Sequence, residues 1–125
     1  MRRTYRIDRV AGRVEIGANR EAFERPTDFD PRTTFPDDPK MIGADATVPD
    51  ARVRIDEPRA AAAARDLGEE RVVRRHDDGA IEVMVPCANT PAFRSWLLGF
   101  LEHAEVLEPA AVRADVVAFL ERALA

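Results

Sequence analysis

Apolar and polar residues alternate most clearly between Val72 and Pro86, and this pattern predicts a β-hairpin. Two β-rich runs flank Asp77-Asp78-Gly79, and Asp-Gly between alternating apolar residues is a strong hairpin signal. A three-residue loop with Gly79 in the left-handed region is favoured over a two-residue turn, which would place polar groups on the apolar face. The resulting register pairs Arg75 with Ile81, Arg74 with Glu82 and Val73 with Val83.

The elements around the hairpin predict an α+β fold of the ferredoxin-like type. A strand is predicted before the hairpin, followed by a helix in which Pro58 suits the first turn and Gly68 ends the last. After Cys87, the patterns predict a helix with a broad apolar stripe, a short strand and a terminal helix. The predicted elements are Thr47–Ile55, Arg59–Leu67, the hairpin, the helix after Thr90-Pro91, Ala104–Leu107 and the helix after Glu108-Pro109. Their order is βαββαβ with an extra C-terminal helix.

A strand order of 4-1-3-2 would leave one sheet face without helices. Alternation along the strands predicts that this open face carries arginines beside a small apolar patch. Three readings follow: a solvated face, a dimer interface or a surface that binds an effector. The possible interface or ligand residues are Arg52, Arg54, Val72, Arg74, Glu82 and Met84, with Glu105 and Leu107 beside them.

The N-terminal part has a different pattern. Large and charged residues alternate over Tyr5–Val10 and resume at Val14 and Ile16, which predicts a β arm. An isolated two-stranded hairpin is marginal in water, so the arm would pack on the main domain, pair with another chain or complete a domain that begins upstream. Gly17–Ala46 is rich in proline and aspartate and is predicted to be a linker with one helical turn near Asp30–Phe35.

Composition narrows the class of protein. A chain of 125 residues with 46% hydrophobic residues fits one domain with an appendage. The net charge of −4 argues against bulk attraction to nucleic acid or anionic lipid. The charge is uneven, however, because residues 1–25 hold seven arginines and four acids. Cys87 is the only cysteine, and no run approaches the length of a membrane span, so we expect a soluble, cytoplasmic protein that does not bind a membrane.

Catalytic patterns are missing from the sequence. It has no Gly-rich phosphate loop, Ser/His/Asp order or HExxH motif, so we expect no enzyme activity, no cofactor and no metal. His76 beside Asp77 and Asp78 could suggest a metal site, but adjacent residues at a turn point in different directions, and a surface turn is favoured. The middle strand Ile81–Val85 has no aromatic residue for stacking RNA bases. The arginines at positions 2, 3, 6 and 9 could bind an anion or simply form a charged strand.

Two stretches resemble parts of one known family. Residues 3–10, read R-T-Y-R-I-D-R-V, together with F-E-R-P at 23–26 and D-F-D at 28–30, are similar to the end of a WYL domain. W-L-L-G-F-L at 96–101 and A-E-V-L-E-P at 104–109 resemble the C-terminal extension of the same proteins, the WCX domain. Tyr5 stands where the family usually has Phe, and Leu101 where it often has Gly.

The resemblance implies a bacterial transcriptional regulator whose C-terminal part responds to an effector and dimerises. The implied domains are 1–31 as the last strands and exit segment of a WYL-like domain, 32–46 as a linker and 47–125 as a ferredoxin-like WCX-type domain. Arg6 and Arg9 would contact an anionic or single-stranded nucleic-acid effector. Operator DNA would be bound only through an N-terminal helix-turn-helix, which this sequence lacks, so the chain resembles a C-terminal fragment. The resemblance also implies a homodimer. The alternative is a stand-alone ferredoxin-like domain that binds a small ligand on the open face.

Overall fold

The computed structural model describes residues 5, 7–19, 21, 23–34 and 36–125. The chain divides into two compact units, Met1–Pro36 and Asp37–Ala125. The second unit contains the sheet and all the helices longer than one turn within the described residues. The α+β class predicted from the sequence is confirmed.

A four-stranded antiparallel sheet forms the second unit. Its strands are β1 (Ala51–Ile55), β2 (Val72–Arg75), β3 (Ile81–Val85) and β4 (Ala104–Glu108). They lie in the order β2-β3-β1-β4, which is the predicted 4-1-3-2 order read from the other edge. β1 begins at Ala51 rather than Thr47, after Pro49, which has no N–H to donate to a ladder.

Three helices cover one face of the sheet. They are α2 (Glu57–Leu67), α3 (Thr90–Leu98) and α4 (Ala110–Leu124), while α1 (Pro31–Thr34) is one turn in the first unit. α2 has Pro58 in its first turn and ends at Gly68, as predicted. The inward strand residues are fully buried against the alanines of α2 and the apolar stripe of α3. This core includes Val53, Ile55, Ile81, Val83, Val85, Ala63, Phe93 and Leu97.

The hairpin follows the predicted register near its turn and departs from it further away. Arg75 pairs with Ile81 and Arg74 with Glu82, and Gly79 has a φ of 84°. A bulge between Val72 and Arg74 then places Val72, rather than Val73, opposite Val83. Val72 therefore packs against the core and not on the open face, and Val73 is 50% exposed. The prediction assumed strict alternation, which one extra residue in an edge strand breaks.

The first unit contains no strand within its described residues. Ile7–Arg9 forms a 3-10 helix in which the Val10 N–H donates to the Ile7 carbonyl at 3.1 Å. The predicted β arm over Tyr5–Val10 is therefore wrong for the described residues. A strand needs a neighbouring strand to pair with, and the described residues place none beside this segment, so its backbone closes a local turn instead. The helical turn predicted near Asp30–Phe35 is confirmed by α1, while Phe35 lies outside the described residues.

Part of the segment predicted as a linker folds with the second unit. Pro39–Met41 forms a 3-10 helix, and the Asn89 side-chain amide donates to the Ile42 carbonyl at 2.9 Å. The same Asn89 caps α3 by accepting from the Ala92 N–H. One side chain thus starts α3 and holds the preceding segment beside it.

Candidate functional site

The sheet face opposite the helices carries most of the charged strand residues. The alternation of side chains along the strands and the pairing between strands place them together on this face. They are Arg52 and Arg54 on β1, Arg74 on β2, Glu82 on β3, and Glu105 and Glu108 on β4, and the uncharged Met84 of β3 lies among them. Leu107, predicted on this face, lies instead at the irregularity that brings Glu108 opposite Arg52, and it is half-buried.

Glu82 is the centre of this face, and it is only 5% exposed. Its Oε1 lies 2.8 Å from His76 Nε2, and its Oε2 lies 2.5 Å from Arg52 Nε. The second contact is an ion pair without hydrogen-bond geometry, so Arg52 Nε and Glu82 Oε2 are buried without a hydrogen-bond partner among the described residues. Burial alone would raise the pKa of Glu82, but the hydrogen bond with His76 and the positive charge of Arg52 outweigh burial and lower that pKa.

Arg54 connects the same face to the hairpin turn. Its NH2 donates to Asp78 Oδ2 at 2.6 Å, and its Nε lies 3.6 Å from Asp56. Asp78 Oδ1 also accepts from the Ala80 N–H at 3.0 Å. The backbone bond from Ala80, followed by the bond from Arg54, lowers the pKa of Asp78. The carboxylate therefore shapes the turn and orients Arg54 at once.

A cleft of about 640 Å³ lies on the other side of the domain, between the 3-10 helix Pro39–Met41 and α3. Lys40 is 6% exposed there, and its ammonium pairs with Asp38 at 3.0 Å. The same ammonium lies 5.4 Å from the centre of the Trp96 ring. Trp96 Nε1 donates to Asp66 on α2 at 2.8 Å, so the indole links two helices and the segment before β1.

Comparison with known proteins assigns the domain to a family. The family description of the WCX domain matches residues 47–124. The chain belongs to the WCX domain family. WCX domains occur in WYL-associated regulators, so the predicted WCX resemblance is confirmed for most of the chain. No curated protein and no solved structure matches it.

The WCX domain brings together only part of the predicted site. Arg52, Arg54 and Glu82 lie on one face and are bonded to each other or to neighbouring groups. Met84 is half-buried on the same face. Arg74 is exposed on this face and has no ion-pair partner within the part of the chain that the structure describes. The hairpin register predicted Glu82 as its partner, but Arg52 and His76 contact the Glu82 carboxylate instead. Two of the three arginines thus already have internal partners.

The predicted effector residues precede the WCX domain. Arg9 ends the 3-10 helix Ile7–Arg9 and is exposed, and Arg6 lies outside the described residues. The sequence reasoning did not find Lys40. One signal was available, because Lys40 is the only lysine in a chain that otherwise uses arginine for every basic residue. The Lys40 ammonium lies between the Trp96 ring and the Asp38 carboxylate. An arginine would place a planar guanidinium there, which differs from the ammonium in shape and in the directions of its donors.

The remaining candidate group is the thiol of Cys87. Cys87 is buried, and its thiol donates to the Pro49 carbonyl at 3.2 Å. Burial, and then the charge of Asp50, raises the pKa of this thiol. The described residues contain no group of three or more His, Cys, Asp or Glu side chains that could hold a metal ion. None of the described helices is long and apolar enough to cross a membrane.

Proposed function

We propose that this chain is the C-terminal effector-response and dimerisation region of a bacterial WYL-type transcriptional regulator, acting in the cytoplasm and without catalysis. The match of residues 47–124 to the WCX domain carries this proposal, because that domain occurs in WYL-associated regulators. The R-I-D-R-V sequence at residues 6–10 supports the further assignment of the N-terminal segment to the end of a WYL domain.

The distribution of charge supports an anionic effector at the N-terminal segment. Residues 1–25 hold three more bases than acids, whereas the rest of the chain holds seven more acids than bases. Within the WCX domain, Arg52 and Arg54 are bound to internal carboxylates. These two arginines would have to give up their partners to bind an effector. Arg6 and Arg9 lie instead in the basic N-terminal segment that resembles the end of a WYL domain, and we propose them as the effector contacts. A single-stranded nucleic acid or another polyanion is the proposed effector class.

The test is binding of a fluorescent single-stranded oligonucleotide, measured by anisotropy at several salt concentrations. The variant Arg6→Ala with Arg9→Ala should bind about 10-fold to 100-fold more weakly and lower the salt slope by roughly 1.4, because each phosphate contact on a single strand contributes about 0.7. The control is Arg65→Ala, an exposed arginine on α2. Equal losses in both variants, or no binding by the native chain, would refute this effector assignment.

A second candidate function is binding of a small anionic ligand on the open sheet face. The observation that favours it is the state of Arg74, which is exposed and has no ion-pair partner in the described part of the chain. Arg74 lies opposite Glu82, whose buried carboxylate is already in contact with Arg52. Thermal unfolding with dicarboxylates, nucleotides and inorganic phosphate tests it, because a ligand at 100 times its Kd stabilises the folded state by about 2.7 kcal/mol. Stabilisation that is lost in Arg74→Ala but kept in Arg65→Ala would favour this function.

A further inference from the structure

The outer side of α4 carries an unusual density of exposed aliphatic residues. Val117 is 44% exposed, Leu120 40% and Leu124 88%, and their spacing of three and four residues aligns them along one stripe. Leu98 and Leu101, at 38% and 72%, extend this patch beyond the end of α3. We call these five residues the α4 patch. Single exposed leucines are ordinary, but a contiguous patch of this kind marks an interaction surface.

A shallow groove runs through the α4 patch. Its volume is about 200 Å³, and Leu97, Leu98, Leu101, Val116, Val117 and Leu120 are among its lining residues. The groove forms because α3 ends at Leu98, and the chain then turns so that Leu101 adopts a φ of 55°. This turn directs Leu101 into solvent, away from the buried apolar stripe of α3. A leucine in the left-handed region is uncommon and is disfavoured relative to glycine.

Side chains of opposite charge flank Val117 along the stripe. Arg113 lies one turn before Val117, and Glu121 lies one turn after it. Only NH1 of Arg113 is bonded, to Glu105 at 2.6 Å and to the Val106 carbonyl at 2.7 Å. The rest of that guanidinium is open among the described residues. A surface with a base on one side of its centre and an acid on the other complements itself when two copies run antiparallel.

We propose that the α4 patch is the surface through which two copies of this chain pair, with their α4 helices antiparallel about a two-fold axis. An axis between Val117 and Leu120 puts each Val117 against the partner's Leu120. It also brings the partner's Leu124 beside Arg113 at the mouth of the groove, and the partner's Glu121 within one turn of Arg113. This inference rests on the proposed dimerising function and names the surface that performs it.

The size of the patch fits such a contact. The exposed fractions of the five residues amount to nearly three whole aliphatic side chains per copy. This corresponds to on the order of 1,000 Å² for two copies, near the lower limit of specific interfaces. The open sheet face is less suited to self-association, because its centre is a buried charge cluster with internal partners.

The test is sedimentation of the full chain over micromolar to millimolar concentrations. Leu120→Glu should weaken the dimer on the order of 100-fold, because the two-fold axis repeats the substitution at the centre of the contact. The matched control is Val73→Glu, which alters a residue of similar exposure on β2 and should leave association unchanged. If Val73→Glu dissociates the dimer and Leu120→Glu does not, the dimer forms through the sheet, and the α4 assignment is overturned.

A charge exchange tests the antiparallel geometry. Arg113→Glu and Glu121→Arg should each weaken the dimer about 10-fold, and the double variant should recover to within about 3-fold of the native chain. The bond from Arg113 to Glu105 within one copy cannot explain such recovery, because the double variant does not restore it. Absence of recovery overturns the pairing. A native chain that stays monomeric overturns both this surface and the dimerising function, whereas effector binding through Arg6 and Arg9 is measured separately.

Discussion

Glu82 provides the sharpest stability test of the open sheet face. Replacing it with Gln keeps the shape and one carbonyl acceptor but removes the negative charge that His76 and Arg52 contact. A hydrogen bond to a charged group contributes about 1.5–3 kcal/mol. The Arg52 side chain is 34% exposed, so water screens its ion pair and holds its contribution to roughly 1 kcal/mol or less. Because Gln retains part of the first contact, we expect Glu82→Gln to lower the free energy of unfolding by about 1–3 kcal/mol at pH 7.

Urea unfolding followed by fluorescence measures this loss, because Trp96 is the only tryptophan and lies in the same unit as Glu82. With a denaturant slope of about 1–2 kcal/mol per M, the urea midpoint should fall by about 0.5–3 M. Glu108→Gln is the matched control, since Glu108 lies on the same face and is exposed. That variant should unfold within about 0.5 kcal/mol of the native chain, as surface substitutions usually do.

The effect of Glu82 should depend on pH with a defined sign. The pKa of Glu82 in the folded state lies below its ordinary value of 4.5. Its charge therefore stabilises the fold fully at pH values above 4.5, and this contribution is lost as the pH falls through the lowered pKa. The difference in stability between the native chain and Glu82→Gln should narrow in acid. Equal stability at pH 7, or a difference that does not change with pH, would refute the reasoning.

Three further predictions concern single residues. Val72→Ala should lower the free energy of unfolding by about 1–2 kcal/mol, and Val73→Ala should lower it by less than about 0.5 kcal/mol, because the bulge packs only Val72 against the core. Urea unfolding measures both values, and a larger loss for Val73→Ala would contradict the bulge. Cys87 should react slowly with a thiol reagent at pH 7 and quickly in urea, since burial shields its thiol and raises its pKa; equal rates would contradict that burial. Leu101→Gly should raise the midpoint temperature of thermal unfolding, because glycine relieves about 1 kcal/mol of backbone strain. The same variant should weaken the dimer measured by sedimentation. An unchanged midpoint temperature would argue against the left-handed turn.

Local sequence signals predicted the elements of the WCX domain well. Pro58 and Gly68 marked the ends of α2, and the Asp-Gly turn fixed the hairpin pairs nearest to it. These signals act over a few residues, so they do not require knowledge of the packed structure. The strand order followed from the sequence of elements, because few topologies connect them without crossing.

The charge pairs could not be predicted in the same way. Glu82 was assigned to Arg74, its neighbour across one ladder, but β3 is a central strand with neighbours on both sides. Arg52 on β1 and His76 beyond the end of β2 reach the carboxylate instead. Choosing among such partners requires side-chain geometry, which the pattern of residues does not contain. Likewise, the presence of a single lysine marks Lys40 as unusual, but it does not show that its ammonium lies over the Trp96 ring.

The two edge strands of the sheet, β2 and β4, are protected in different ways from pairing with a further strand. On β4, the Arg113 guanidinium donates a hydrogen bond to the Val106 carbonyl. On β2, the bulge at Val73 interrupts the regular backbone spacing, and Arg74 and Arg75 add charge. Edges protected in these ways resist pairing with a stray strand from another molecule. Folded WCX domains at high concentration are therefore expected to stay free of mixed sheets that would join one molecule to the next.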